Sequence, residues 1–174
     1  YDSRDYFPNK NVLLYCGRTI TFGGDTAYFL GTDGSKQYGV QKINGNYYLC
    51  DPELKMMFDG VEIGGIINKS NSWVSYEGDY YFPNSDGILY HDRIITFGPK
   101  ISYFIGSECK KETGFKSVKG DMYLFDRNLS RKFGDRDISG MANCSNSWIR
   151  IDEKDYFPNA QGKLYRNREI SFGP

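Results

Sequence analysis

Alanine and leucine, the residues that most favour helix, are sparse in these 174 residues, whereas glycine numbers 20, tyrosine 15 and phenylalanine 12. That mixture suits pleated strands joined by tight turns. An excess of either charge is lacking too, since Lys plus Arg and Asp plus Glu are 22 each. No broad cationic field is available for a phosphate backbone or an anionic lipid surface, so nucleic acid is not an expected partner. No apolar run approaches the roughly 20 residues that span a bilayer as a helix, and no signal-peptide pattern opens the chain. Membrane insertion is not expected. Histidine occurs once, at His91. There is no G-x-S-x-G, no His-containing triad and no phosphate-cradling glycine loop before a helix. Glycoside hydrolysis needs two carboxylates facing each other at roughly 5 to 9.5 Å. Those present fall in turns and differ between copies of the repeat described next. The chain reads as a non-enzyme without cofactor or metal.

What is present is repetition. DYFPNKNVLLYCGRTITFG from Asp5, YYFPNSDGILYHDRIITFG from Tyr80 and DYFPNAQGKLYRNREISFG from Asp155 share Y-F-P-N-x-x-x-x-L-Y-x-x-R-x-I-[TS]-F-G. Pro8, Pro83 and Pro158 are 75 residues apart, and the segments between them align without a gap, ending in SNSW at Ser70 and again at Ser145. Repeats of this kind define the fold class before any other feature. The chain is read as one repetitive module over 1–174, with long repeats 1–75 and 76–150 and a partial one at 151–174. Because Tyr1 lies inside a repeat, it resembles a piece of a longer protein. The cysteines do not follow the repeat: Cys16 aligns with His91 and Arg166, Cys50 with Phe125, Cys109 with Gly34 and Cys144 with Lys69. A disulfide framework or a zinc site needed by every copy is therefore not expected.

A shorter beat of about 20 residues lies inside the long period. NSWVSYEGDYYF, IITFGPKISYF and GFKSVKGDMYLF each read as strand, turn and strand, with Glu77-Gly78, Gly98-Pro99 and Lys119-Gly120 at the reversals. Each is a β-hairpin too small to stand alone in water. Stacking would bury their Tyr and Phe rows, so the expected fold is all-β, a β-solenoid of stacked hairpins. The stretches Gly60 to Ser70 and Asp135 to Ser145 interrupt the beat and read as spacers that turn one hairpin against the next.

The run SWVSYEGDYYFPNSDGIL resembles the cell-wall-binding repeat superfamily, whose units run roughly G-W-x-x-x-x-G-x-x-Y-Y-F-x-x-x-G. This superfamily includes the choline-binding repeats of surface proteins, the glucan-binding repeats of glucosyltransferases and the repetitive oligopeptides of large clostridial toxins. The stretch Ile88 to Phe115 is most similar to the toxin kind, a long unit followed by a short one. The resemblance implies a secreted or bacterial-surface, non-catalytic solenoid that binds glycans of a host cell surface or a bacterial cell wall. Choline-binding repeats cage their ligand in aromatics, and a quaternary ammonium needs such faces on several sides. Here the matching places hold Val40 and Phe115, with Asn46, Asp79 and Asp121 nearby. Glycan is the better implication than choline.

Candidate contacts follow. Trp73 and Trp148 offer flat indoles that can stack on a sugar and donate from the ring N–H, or else pack between hairpins. Tyr15, Tyr90 and Tyr165 recur with Arg18, Arg93 and Arg168 in L-Y-x-x-R. A guanidinium fork there grips vicinal hydroxyls or a carboxylate, or locks the repeat by stacking. Asn9, Asn84 and Asn159 read as Asx-turn residues. The toxin-type resemblance adds the junction of a long and a short unit: Tyr90, Arg93, Ser107, Glu108 and Lys116 in the second copy, and Tyr15, Arg18, Thr32, Asp33 and Gln41 in the first. Two readings stand: a multivalent carbohydrate-binding module of a secreted toxin or surface protein, and a structural spacer, interaction scaffold or choline/teichoic-acid anchor.

Overall fold

The computed structural model describes residues 4–171. The described residues are all-β, in small antiparallel sheets without a helix. Two compact units are formed, Tyr1–Tyr90 and His91–Pro174.

The first unit holds β1 (Arg18–Phe22), β2 (Thr26–Leu30), β3 (Gly39–Ile43), β4 (Asn46–Phe58), β5 (Val61–Ile67), β6 (Val74–Tyr76) and β7 (Asp79–Tyr81). Its five-stranded sheet runs β1-β2-β5-β4-β3, and β6 and β7 make a separate hairpin. The second unit holds β8 (Arg93–Gly98), β9 (Ile101–Ile105), β10 (Lys111–Glu112), β11 (Gly114–Val118), β12 (Asp121–Phe133), β13 (Arg136–Ala142), β14 (Ile149–Ile151) and β15 (Lys154–Tyr156). Apart from the two-residue β10, each strand of the second unit begins 75 residues after its counterpart in the first. In place of β10 the first unit has the single bridge Leu30↔Lys36.

The hairpins read from sequence are β6–β7, β8–β9 and β11–β12. At Glu77-Gly78 both residues have positive φ, 50° and 82°. This mirror-image turn matches the twist of its flanking strands. One reversal is displaced by a residue: Gly98 pairs with Ile101, so Pro99-Lys100 rather than Gly98-Pro99 is the central pair, with Lys100 at φ 62°. Proline's fixed φ suits the first central position of such a turn. The expected spacers are strands. Val61–Ile67 pairs along β4, and Arg136–Ala142 along β12, each after a bulge, at Asp51/Lys55 and Asp126/Ser130. The Asp59-Gly60 dipeptide reverses the chain there, with φ 46° and 82°.

Each unit is centred on the same aromatic trio. Phe22, Tyr28 and Phe58 have centroids 4.8–6.4 Å apart, and Phe97, Tyr103 and Phe133 4.8–6.0 Å apart. The Tyr28 hydroxyl donates to the Ile63 carbonyl at 2.9 Å and Tyr103 to Ile138 at 2.8 Å. A buried phenol thus keeps a partner. Burial raises the Tyr28 pKa and pushes that of Tyr103 up to about 12. Asn68 donates to Asp51 at 2.8 Å and Asn143 to Asp126 at 3.3 Å, so one amide–carboxylate link ties the residue after β5 to β4 and the residue after β13 to β12.

The Pro-Asn loops are built alike. Asn9 Oδ1 accepts from the backbone N–H of Asn11 and Leu13, Asn84 Oδ1 from Asp86 and Ile88, and Asn159 Oδ1 from Gln161 and Lys163, all at 2.8–3.1 Å. Proline pairs with leucine across each loop, as Pro8↔Leu14, Pro83↔Leu89 and Pro158↔Leu164. The turn duty read for these asparagines is what they perform. Gly87 and Gly162 hold the left-handed position, φ 85° and 81°, but the first copy has Val12 there at φ 65°, 83% exposed. A β-branched residue is strained in that region. Val12→Gly is expected to raise stability by about 1 kcal/mol, the relief exceeding the added chain entropy. The midpoint of urea unfolding measures it, and an unchanged or lower midpoint would contradict the strain.

Candidate functional site

The residue before each recurrent Pro-Asn organises the candidate contacts. Phe82 receives Trp73 edge-on at 5.3 Å and stands 5.9 Å from Tyr90; Phe157 receives Trp148 edge-on at 5.4 Å and stands 5.7 Å from Tyr165. In the first copy Phe7 stacks on Tyr15 at 6.0 Å. The repeat therefore builds a row of Trp, Phe and Tyr in which phenylalanine is the brace. Phe82 and Phe157 went unread as site-forming residues, although their recurrence in Y-F-P-N was the signal.

The two tryptophans part company in exposure. Trp73 is 2% exposed, and as a member of the core it presents no face to a sugar, which corrects its place among the candidate contacts. Trp148 is 58% exposed. Beside it in the second unit, the Arg168 guanidinium lies 5.3 Å over the Tyr165 ring, as Arg18 lies 5.5 Å over Tyr15 in the first unit. The L-Y-x-x-R spacing thus yields a cation–aromatic pair in which an exposed guanidinium covers a half-buried ring. Tyr90 closes the first unit and Arg93 opens β8 of the second, where it pairs with Ile105.

The junction residues divide. Arg93, Phe104, Ser117 and Tyr123 are among the residues lining a depression of about 590 Å³ beside the β8–β9 and β11–β12 hairpins. Lys116 is ion-paired with Glu112 and lies 5.5 Å over Phe104. Ser107 and Glu108 are exposed in the turn after β9, where Glu108 meets Lys110 at 3.6 Å. In the first unit Asp33 is committed to its own turn: it accepts from the Ser35 hydroxyl at 2.7 Å and the Ser35 N–H at 3.0 Å, and pairs with Arg4 at 2.9 Å. Those Ser35 hydrogen bonds hold its carboxyl below the usual range, with Arg4 adding to them. Gln41 donates to the Tyr38 carbonyl at 2.7 Å. Asp33 and Gln41 thus serve local structure, whereas Trp148, Tyr165 and Arg168 share one exposed neighbourhood.

All four cysteines are free thiols, and no group of three or more His, Cys, Asp or Glu side chains among the described residues is placed to hold a metal. Burial pushes the Cys50 thiol up to about 12 and Cys109 up to about 11. Neither suits a nucleophile, which must reach the thiolate near neutrality.

This architecture, small hairpins and meanders recurring at a fixed period around aromatic rows, is a fold seen in solved choline-binding proteins. Choline binding protein F from Streptococcus pneumoniae is similar over 98% of this chain and 51% of that one, at 19% identity and TM-score 0.57. Its complex with ipratropium gives TM-score 0.52 at 16% identity, over 95% and 58% of the two chains. CbpJ from Streptococcus pneumoniae TIGR4 gives 0.50 at 17% identity, over 92% and 62%. The chain spans about half to three-fifths of those proteins. No family model and no curated protein matches it.

Proposed function

We propose that the chain is a β-solenoid segment and a non-catalytic carbohydrate-binding repeat module of a secreted bacterial toxin or surface protein, which recognises cell-surface or cell-wall glycans multivalently. The observation that carries this reading is the exposed indole of Trp148, braced edge-on by Phe157 and followed by Tyr165 and Arg168. An indole held against a perpendicular phenylalanine stacks on a sugar ring with little loss of rotamer freedom, and the neighbouring guanidinium donates to hydroxyls. The Tyr and Arg of L-Y-x-x-R recur as Tyr15 and Arg18, Tyr90 and Arg93, and Tyr165 and Arg168, which supports multivalency, since linked weak sites gain strength without new contacts.

The similar fold of choline-binding proteins makes choline the natural rival ligand. Against it stands Arg168, whose positive charge already lies over the Tyr165 ring and would repel a quaternary ammonium there. A spacer role is favoured by one observation, the burial of Trp73.

A glycan array tests the proposal. The chain is expected to give signals that Trp148→Ala removes without unfolding it, and that free choline does not displace. Silence on every glycan, or displacement by choline, would sink the carbohydrate reading.

A further inference from the structure

Beneath Tyr165 the second unit carries a polar cleft of about 260 Å³, whose lining includes Asp121, Asn159, Lys163, Tyr165, Arg166 and Arg168. Lys163 and Asp121 meet at 2.6 Å and cancel each other's charge. Two guanidiniums remain, and among the described residues neither forms an ion pair. Arg168 rests over Tyr165 at 5.3 Å, which orders it without neutralising it. Asn159 has its Oδ1 occupied by the N–H groups of Gln161 and Lys163, so the amide meets a ligand as a donor. The cleft therefore presents donors and net positive charge.

The repeat distinguishes what builds the loop from what is added to it. Tyr165 and Arg168 recur as Tyr15 and Arg18 and as Tyr90 and Arg93, as an element of architecture should. The other charges do not recur: Lys163 stands where the earlier copies have Leu13 and Ile88, Arg166 where they have Cys16 and His91, and Asp121 where the preceding copy has Asn46. The loop forms with apolar or neutral residues at these places, so its folding does not require the charges. Exposed guanidiniums repel each other, and an arrangement that keeps two of them on one small cleft suits an anion that both can grip.

We infer that this cleft binds the anionic substituent of an acidic glycan: a carboxylate, sulfate or phosphate ester. The inference rests on the carbohydrate reading and narrows it to acidic sugars at the third copy of the loop. Carboxylate, sulfate and phosphate oxygens accept parallel N–H bonds from a guanidinium fork, while a neutral hydroxyl takes one.

Titration of the whole ¹⁵N-labelled chain with matched pairs tests it: 3′-sialyllactose against lactose, and glucose 6-sulfate and glucose 6-phosphate against glucose, with inorganic phosphate alone as the sugar-free probe. The acidic member of at least one pair is expected to bind roughly tenfold tighter, shifting the amides of residues 165–168, with the advantage shrinking as salt rises. Arg166→Gln is expected to remove most of that advantage while leaving neutral-sugar binding and the thermal midpoint unchanged. Arg166→Lys should restore part of it. Equal affinity within every pair, or an acid preference that survives Arg166→Gln together with Arg168→Gln, overturns the assignment. Binding of inorganic phosphate with no preference among the sugars overturns the glycan source. Failure of the broader reading looks different: Trp148→Ala then leaves every sugar response unchanged.

Discussion

Alanine at Trp73 is expected to cost the fold about 3–5 kcal/mol, the range for a fully buried large aromatic, whereas alanine at Trp148 is expected to cost less than about 1 kcal/mol. The two tryptophans occupy the same place in the repeat, follow the same SNS tripeptide and stand nearly perpendicular to the same phenylalanine of the repeat at 5.3 and 5.4 Å. What differs is coverage, 2% against 58% exposed. Removing the first leaves a cavity lined by core side chains; removing the second leaves a dimple in solvent. Chemical denaturation followed by tyrosine fluorescence measures both, and glycan binding should show the reverse order, lost with Trp148 and kept in whatever fraction of Trp73→Ala remains folded. Equal destabilisation by the two substitutions would mean that both indoles are core, and the carbohydrate reading would lose its main support.

Alkali is expected to destabilise the chain progressively from about pH 9, because unfolding releases buried thiols and a buried phenol to ionise. Cys50 and Cys109 start from an ordinary value of 9.0 and are pushed up to about 12 and about 11 by burial; Tyr103 starts from 10.0 and is pushed up to about 12. In each case the folded state holds its proton more tightly than the unfolded chain. Below pH 9 both states are protonated and the stabilisation is complete. Above pH 9 the unfolded chain releases protons that the folded chain retains, and stability falls by up to about 1.4 kcal/mol per pH unit for each group until its folded pKa is reached. Unfolding midpoints under reducing conditions from pH 7 to 11.5 should be level and then drop steeply above pH 9. Cys50→Ala lowers the midpoint at neutrality and makes the alkaline fall shallower. A level profile through pH 11 would contradict the burial of these groups.

Both tryptophans show how far the sequence can be read. The 75-residue register, the all-β class, the asparagine turns and the hairpins β6–β7, β8–β9 and β11–β12 were legible, because each depends on local chemistry that recurs. The strands β5 and β13 were not read. VEIGGII and RDISGMA carry glycines that weaken the alternation expected of a strand, although Asp59-Gly60 marked the hairpin entering the first. The Asp51–Asn68 and Asp126–Asn143 links were visible as identical residues in register, but pairing across a sheet is not announced by spacing. Exposure of one tryptophan and burial of its twin had no local signal at all, since the same surrounding letters meet different tertiary neighbours. The same reason separates Arg168, exposed over the half-buried Tyr165 ring, from Asp33, consumed by its own turn.

The gapless register also bears on how such a chain changes length over generations. The hydrogen bonds described within each unit, from Tyr28 to Ile63 and from Asn68 to Asp51 and their counterparts, all close within less than one period. A DNA segment encoding one whole period therefore carries donors and acceptors together. Unequal crossing-over between copies can add or delete such a segment without orphaning a buried polar group. Copy number can then change while the fold of each period is kept, and side chains such as Lys163 and Arg166 can differ from one copy to the next, as they do against Ile88 and His91.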